Sequence, residues 1–340
     1  MTSRARWRRP FLVGSAAAGL PTVLFMLWIG FHAKGAIRTR QVDDVAQMVA
    51  ALSATVICGI ALFRGTPGRA TWALLTASSF VWALGQAVWC YYALVKATPA
   101  PFPSLADAGF LTAVPLALVA LLLYPGGAHR LGYRLQGLAD ACVIAASLLF
   151  ASWATVLGAV YRSPSEGTLT PVVSIAYPIG DLIMVSLVIM LISRAGRHGR
   201  VPLGLVMAGL VLFAFADSAF TYLTAVNGYQ GPSLLDTGWV AGYLLIAVGA
   251  LWAMTSRAPE VSGVEDPIVS LVAPYLPVAV VLGATAVQLL RGRHFGTATW
   301  VMGLVLVLLV IGREALRLRM EENAGARHPR PPGGRSWMVE

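Results

Sequence analysis

Long apolar runs, separated by short polar segments, constrain this chain of 340 residues more than any other feature. An α-helix of about 20 apolar residues crosses a hydrocarbon core of roughly 30 Å, and in lipid only helices or closed barrels satisfy every backbone polar group. Hydrophobic residues make up 57% of the chain and charged residues only 12%, about half the charged fraction of a soluble domain. The sequence therefore predicts an all-α fold, a polytopic membrane helical bundle.

Ten membrane spans are predicted. They lie near residues 11–31, 44–63, 70–95, 106–124, 137–160, 173–193, 201–226, 234–255, 268–290 and 295–312. The first follows the basic segment RARWRRP, and its apolar run exceeds the roughly 7–15 residues of a signal-peptide core, so we expect a retained span rather than a cleaved one. Residues 1–312 would form the bundle, and 313–340 a cytoplasmic helix to about Asn323 followed by a disordered tail.

Basic residues set the expected orientation. With a cytoplasmic N-terminus, 18 of the 25 Lys and Arg residues fall on the inner side, as the positive-inside rule requires. We therefore expect an inner-membrane protein with both termini in the cytoplasm. The net charge of +10 is scattered over loops and tails, which favours contact with anionic lipid and argues against nucleic acid as a partner.

A short phrase, in which Pro or Ser precedes an acid at the start of an apolar run, occurs three times. The copies are PFPSLADAGFLTAVPLALVALLLYP (101–125), AYPIGDLIMVSLVIMLI (176–192) and GPSLLDTGWVAGYLLIAVGALWAM (231–254). They align Asp107, Asp181 and Asp236. The sequence thus predicts three repeated helical hairpins, at about residues 70–124, 137–193 and 201–255.

The helices before two of these copies also align, WALGQAVWCYY (82–92) with FAFADSAFTYL (213–223). This alignment places Gln86 opposite Asp217, so polar residues lie deep in corresponding spans. An ionisable side chain at such depth is costly unless it faces a partner, water or the bundle interior. Gln86 and the hydroxyls of Ser218 and Thr221 are candidate partners of Asp217.

Two interpretations of the acids remain open. In SLAD and SLLD, Ser104 with Asp107 and Ser233 with Asp236 have the spacing of a capping box, which alone would justify these residues. Alternatively, the acids converge with Gln86 on an outward-facing pocket for a cation, a proton or a small polar ligand. The candidate ligand-binding residues are Asp107, Asp181, Asp217, Asp236 and Gln86. Asp140 is interpreted as a helix-start or solvated residue near the inner face.

No motif for chemistry is found in the sequence. The histidines and cysteines do not pair at metal-ligand spacing, and no Walker loop, GxGxxG or GxSxG occurs. We therefore predict no catalytic residue, no metal site and no cofactor, and expect that the protein is not an enzyme.

Several segments resemble a known family. FPSLAD, AYPIGD, LADACVIAASLLFASW (138–153) and the pairing of FADSAFTYL with LLDTGWVAGYLL are similar to the N-terminal membrane region of actinobacterial GGDEF and GGDEF/EAL proteins. These are multi-span sensors joined to domains that make or degrade cyclic-di-GMP. The resemblance covers roughly residues 70–323, and REALRLRMEEN looks like the helix that leads toward the cytoplasmic domain. No GGDEF sequence follows, so the resemblance implies a sensor or transducer role and no catalytic residue.

These observations predict a membrane sensor or transducer with an outward polar pocket and no catalytic domain of its own. Its expected partners are the lipid bilayer, a small polar ligand or cation, and a cytoplasmic signalling protein. The alternative is a small-solute or ion-coupled transporter, because intramembrane acids and repeats also suit alternating access. A scarcity of acids in the inner half of the spans favours sensing.

Overall fold

The computed structural model describes residues 20, 24–28, 31, 37–98, 100–124, 131–153, 169–194, 200–225, 233–255, 275–290 and 296–327. Nine helices make up most of this part of the chain. They are α1 (Ile37–Phe63), α2 (Arg69–Cys90), α3 (Leu105–Leu122), α4 (Leu131–Ser152), α5 (Leu169–Arg194), α6 (Arg200–Ala225), α7 (Thr237–Thr255), α8 (Tyr275–Leu290) and α9 (Thr297–Arg327). A π-helical segment, Tyr91–Lys96, continues α2. These residues contain no strand.

The structure confirms the all-helical class. Five helical segments are long and apolar enough to cross a membrane: Thr39–Phe63, Arg69–Lys96, Leu105–Leu122, Val201–Thr224 and Thr237–Thr255. The ten spans and the three repeated hairpins stay predictions. The first predicted span is described only at residues 20, 24–28 and 31, and the tail beyond residue 327 lies outside the described residues.

Six helices form a closed ring. Around it, α1 packs on α2, α2 on α3, α3 on α5, α5 on α6, α6 on α7, and α7 returns to α1. The large apolar core lies inside this ring and includes Trp72, Leu75 and Met207. The remaining helices stand outside: α4 packs on α5, and α8 and α9 pack on α4 around a smaller core with Phe150 and Leu306.

Close helix contacts within the ring depend on glycine. A Cβ atom added to Gly109 of α3 would lie 2.8 Å from Gly85 Cα of α2, and one added to Gly238 of α7 would lie 2.8 Å from Ala216 Cβ of α6. Small residues of this kind let helix backbones approach closely in membrane proteins. They fix the α2–α3 and α6–α7 pairs.

Two helix ends differ from the prediction in ways that matter for the site. Helix α1 begins at Ile37 instead of near residue 44, which brings Asp43 into the helix beside Asp44, and both acids are buried. Helix α9 runs without a break to Arg327, 31 residues from its start. At 1.5 Å per residue it is about 46 Å long, longer than a hydrocarbon core of roughly 30 Å.

Candidate functional site

The five residues singled out from sequence lie at one end of the ring, where α1, α3 and α7 begin and α2 and α6 end. The structure divides them into two groups. Asp107, Asp181 and Asp217 surround Tyr177 of α5, which interacts electrostatically with all three. Asp236 and Gln86 lie instead against the start of α1.

Both carboxylate oxygens of Asp107 accept hydrogen bonds that stabilise the fold. Its Oδ2 accepts a hydrogen bond from the Ser104 amide at 2.7 Å, and Ser104 Oγ accepts one from the Ala106 amide at 3.2 Å. This arrangement is the capping box predicted from SLAD, and it holds the first turn of α3. The Tyr177 hydroxyl donates to the other oxygen, Oδ1, at 2.7 Å. Asp107 thus fastens α3 to α5.

Asp236 is held in a similar way. The Ser233 amide donates to Asp236 Oδ2 at 2.5 Å, and Ser233 Oγ accepts from the Leu235 amide at 3.3 Å. These bonds close the turn just before α7, which begins at Thr237, three residues later than a capping box at Ser233 would place it. Asp236 is fully buried and interacts electrostatically with Asp43 of α1.

Asp181 and Asp217 form a pair of acids, of which Asp181 is buried and Asp217 partly buried. Asp181 of α5 is 2% exposed, its Oδ2 accepts from Ser218 Oγ at 3.4 Å, and its Oδ1 has no hydrogen-bond partner. Asp217 of α6 accepts from the indole Nε1 of Trp239 at 2.7 Å and interacts electrostatically with Asp181. Two like charges in an interior of low dielectric repel strongly. The pair is therefore a place where a positive charge is stabilised.

The partners of these acids differ from those expected. Ser218 bonds to Asp181 and not to Asp217, and Gln86 donates its Nε2 to the backbone carbonyl of Asp44 at 3.2 Å. The hydrogen-bond partner of Asp217 is Trp239, for which the sequence predicted no such role. Sequence reasoning also missed Tyr177, Asp43 and Asp44. The adjacent acids in QVDDVAQ were a usable signal, hidden because the predicted span began at residue 44.

Pro178 removes one backbone hydrogen bond from α5 close to the acid pair. It lies inside the helix, three residues before Asp181. A proline cannot donate to the carbonyl four residues earlier, so the Ser174 carbonyl loses its helical donor. A further backbone acceptor therefore faces the turn that contains Tyr177.

A small cavity in the centre of the ring is bordered by neither acid of the pair. It holds about 20 Å³, is bordered by Leu75, Ser78 and Met184 and by four aromatic rings, and has room for about one water molecule. The rings belong to Trp82, Phe110, Phe213 and Tyr243, and Trp82 packs on the others at centroid distances of 5.0, 5.6 and 4.8 Å. These rings fill the core and leave no cage for an organic ligand.

No family model, curated protein or solved structure matches this chain. Function is therefore argued from the chemistry of the site. Within the residues that the structure describes, no group of three or more His, Cys, Asp or Glu side chains is placed to hold a metal ion.

A second polar cluster lies at the opposite end of the molecule. The guanidinium of Arg313 on α9 donates its Nε to Asp140 Oδ1 of α4 at 2.7 Å and its Nη1 to the Tyr275 hydroxyl of α8 at 2.8 Å. Arg313 and Tyr275 both also bond to Glu314. Arg313 is 2% exposed and Asp140 is buried, so the prediction of a solvated or helix-start Asp140 was wrong.

Arg313 lies between two carboxylates in this cluster, and a second arginine, Arg317, approaches Glu314 at 4.0 Å. Burial works against an ionised Glu314, but the hydrogen bonds from Tyr275 and Arg313 outweigh it, and they hold the pKa of Glu314 below its ordinary value. Asp140, Arg313 and Tyr275 come from α4, α9 and α8. The cluster therefore ties together the three helices that stand outside the ring.

Proposed function

We propose that this chain is a multi-pass membrane sensor that binds a proton at the Asp181–Asp217 pair and passes the change to helix α9. One observation carries the proposal: Asp181 is buried, has one oxygen without a partner and interacts electrostatically with a second, partly buried carboxylate, that of Asp217. A buried ionisable group of this kind is expensive to keep and marks a functional site by default. By the positive-inside count, this end of the ring faces the exterior.

The size and chemistry of the site favour a proton over larger ligands. The cavity inside the ring, which neither acid lines, holds about 20 Å³, too little for an organic ligand of even a few atoms. Ca²⁺ or Mg²⁺ would need about six or more oxygen ligands, waters included, and the pair offers few. One shared proton removes the repulsion between the two carboxylates without any added volume.

A path of packed helices connects the pair to α9. Helix α5, which carries Asp181, packs on α4, and α4 packs on α9. The buried ion pair between Asp140 and Arg313 locks α4 to α9 at the far end. A shift of α5 when Asp181 changes its charge would therefore move α4, and α9 with it. Because α9 is longer than the membrane is thick, its end would present this movement to a cytoplasmic partner.

The partner we propose is a cyclic-di-GMP enzyme on a separate polypeptide. The resemblance of residues 70–323 to the membrane region of GGDEF and GGDEF/EAL proteins supports this choice. Co-purification of the full chain with the proteins encoded beside it would test it. A partner from another class would replace this assignment and leave the proton site untouched.

A labelled α9 tests the sensor directly. A nitroxide at Leu318→Cys, with Cys58, Cys90 and Cys142 replaced by alanine, reports the mobility of the exposed end of α9 in proteoliposomes. We expect its spectrum to change as the exterior is acidified, and expect Asp217→Asn to abolish that change because a single carboxylate no longer shares a proton.

Glu322→Gln, a neutralised acid on an exposed part of α9, is the matched control and should respond like the parent. A pH response that survives in Asp217→Asn would refute the proposed site. An α9 that is insensitive to pH in every variant would refute proton sensing.

Transport is the competing function, because the ring is closed and bears acids within its helices. The Asp140–Arg313 ion pair argues against it, since the one acid found near the inner end is already engaged. A pH-sensitive dye trapped in the same proteoliposomes separates the two functions. Proton or solute uptake that is lost in Asp217→Asn would make the protein a transporter.

A further inference from the structure

The two halves of the ring make matching contacts. Residue numbers rise by 131 from Gln86 to Asp217 and by 129 from Asp107 to Asp236, and these shifts carry α2 onto α6 and α3 onto α7. The contact of Gly85 with Gly109 becomes that of Ala216 with Gly238, which is equally close. The next contact inward, the bond from Ser78 Oγ to the Ala113 carbonyl, becomes the Gly209–Gly242 approach. The α2–α3 and α6–α7 pairs are thus built alike.

The same relation assigns α1 to α5. Helix α5 packs on α6 and on α3, and α1 packs on α2 and on α7, which are the counterparts of those two helices. Trp82 and its counterpart Phe213 pack against each other at 5.6 Å, as expected for residues near an axis that relates the halves. The acid pair between α5 and α6 should therefore have a counterpart at the start of α1.

Buried acids lie at that place. Asp43 of α1 accepts from Gln47 Nε2 at 3.1 Å and interacts electrostatically with Asp44 and with Asp236 of α7. Asp44 is 4% exposed, and its backbone carbonyl accepts from Gln86 Nε2 and, at 3.4 Å, from Cys90 Sγ of α2. Its carboxylate faces the Trp89 indole of α2, as Asp217 faces that of Trp239.

Two buried polar atoms in this cluster have no hydrogen-bond partner. They are Asp44 Oδ2 and Thr237 Oγ1, the latter next to Asp236 at the start of α7. A buried oxygen without a hydrogen-bond partner has lost its bonds to water without replacement, and a cluster of acids keeps such oxygens only when something else satisfies them. Asp181 Oδ1 has the same property in the first site.

We infer that Asp43, Asp44 and Asp236 form a second proton site, related to the Asp181–Asp217 pair by the internal repeat. The other titratable groups around it are Arg40 on α1 and Cys90 on α2. Arg40 is exposed, so its charge reaches the acids only from the rim. The cluster lies where α1 meets both α2 and α7, because Asp44 contacts Gln86 of α2 and Asp43 interacts with Asp236 of α7. The repeat makes the α1–α2 seam the counterpart of the α5–α6 seam, and these two seams lie opposite each other in the ring.

Infrared titration of the full chain in liposomes tests this inference without relying on the sensor function. Protonated carboxyl groups absorb apart from carboxylates, so each buried site contributes its own titrating component. We expect two components in the parent, loss of one in Asp43→Asn/Asp44→Asn, loss of the other in Asp181→Asn/Asp217→Asn, and loss of both in the fourfold variant. Glu322→Gln should keep both.

The outcomes separate the two proposals. If Asp43→Asn/Asp44→Asn titrates like the parent, the second site is refuted, whatever the α5–α6 pair does. If the parent lacks the infrared component of the α5–α6 pair but shows that of the second site, the proposed sensor site is refuted and the second site stands. Asp44→Glu keeps a carboxyl group at this position and should shift the infrared component of the second site. This variant tests the inference if Asp43→Asn/Asp44→Asn does not fold. A component that moves with Na⁺ or K⁺ concentration at constant pH would replace the proton by that ion.

Discussion

Replacing Asp140 by alanine should destabilise the protein by about 3–5 kcal/mol, the usual cost of breaking a buried ion pair. The substitution leaves the Arg313 guanidinium, which is 2% exposed, without the acceptor of its Nε. Glu314 and Tyr275 still contact it, but from α9 itself and from α8. The polar link between α4 and α9 is therefore lost, and their apolar contacts around Phe150 and Leu306 remain. Unfolding of the purified protein by SDS in mixed micelles, monitored by circular dichroism, measures the change.

Two further variants show whether the loss arises from the unpaired charge. Asp140→Leu combined with Arg313→Met removes both charges and should recover most of the stability, because an apolar pair of similar volume is often neutral or better than a buried ion pair. Arg319→Ala, which removes an exposed arginine from the same helix, should change little. An Asp140→Ala protein as stable as the parent would mean that the ion pair does not hold α9.

Much of the fold follows from the sequence because membrane helices are specified locally. The lengths of the apolar runs and the polar residues that separate them predicted helices at 70–95, 106–124 and 201–226. The structure places α2, α3 and α6 there within a few residues. The Ser104–Asp107 capping box was also predictable, since its bonds join residues three apart. Such features depend only on neighbours in the chain.

Contacts between distant segments were not predictable in the same way. The Asp140–Arg313 pair joins residues 173 positions apart, and neither segment contains a sequence feature that identifies the other as its partner. The alignment of Gln86 with Asp217 led to the prediction that the two residues are in contact. Two residues at equivalent places in a repeat, however, lie on opposite sides of its axis. Gln86 consequently contacts Asp44, while Asp217 contacts Trp239. An internal repeat predicts equivalent surroundings and does not predict proximity.

Gly109→Ala should destabilise the protein by about 1–3 kcal/mol, the range for overpacking a tight core. The added Cβ would meet Gly85 Cα at 2.8 Å, Gly85 N at 2.9 Å and the Val81 carbonyl at 2.9 Å. All three are backbone atoms, so no flexible side chain can move aside and α2 and α3 must separate. Gly109→Leu should have a larger effect, because the rest of its side chain points into the same seam.

Gly204→Ala is the matched control, since Gly204 lies in α6 and a Cβ there meets nothing within 4 Å. Alanine is a better helix former than glycine by up to about 1 kcal/mol, so this variant should be as stable as the parent or more stable. The two substitutions add the same methyl group, and opposite signs in the same SDS unfolding assay would place the difference in the α2–α3 contact. If Gly109→Ala were tolerated as well as Gly204→Ala, the two helices could not pack as closely as the structure shows. The ring that positions both acid sites would then be open at this seam.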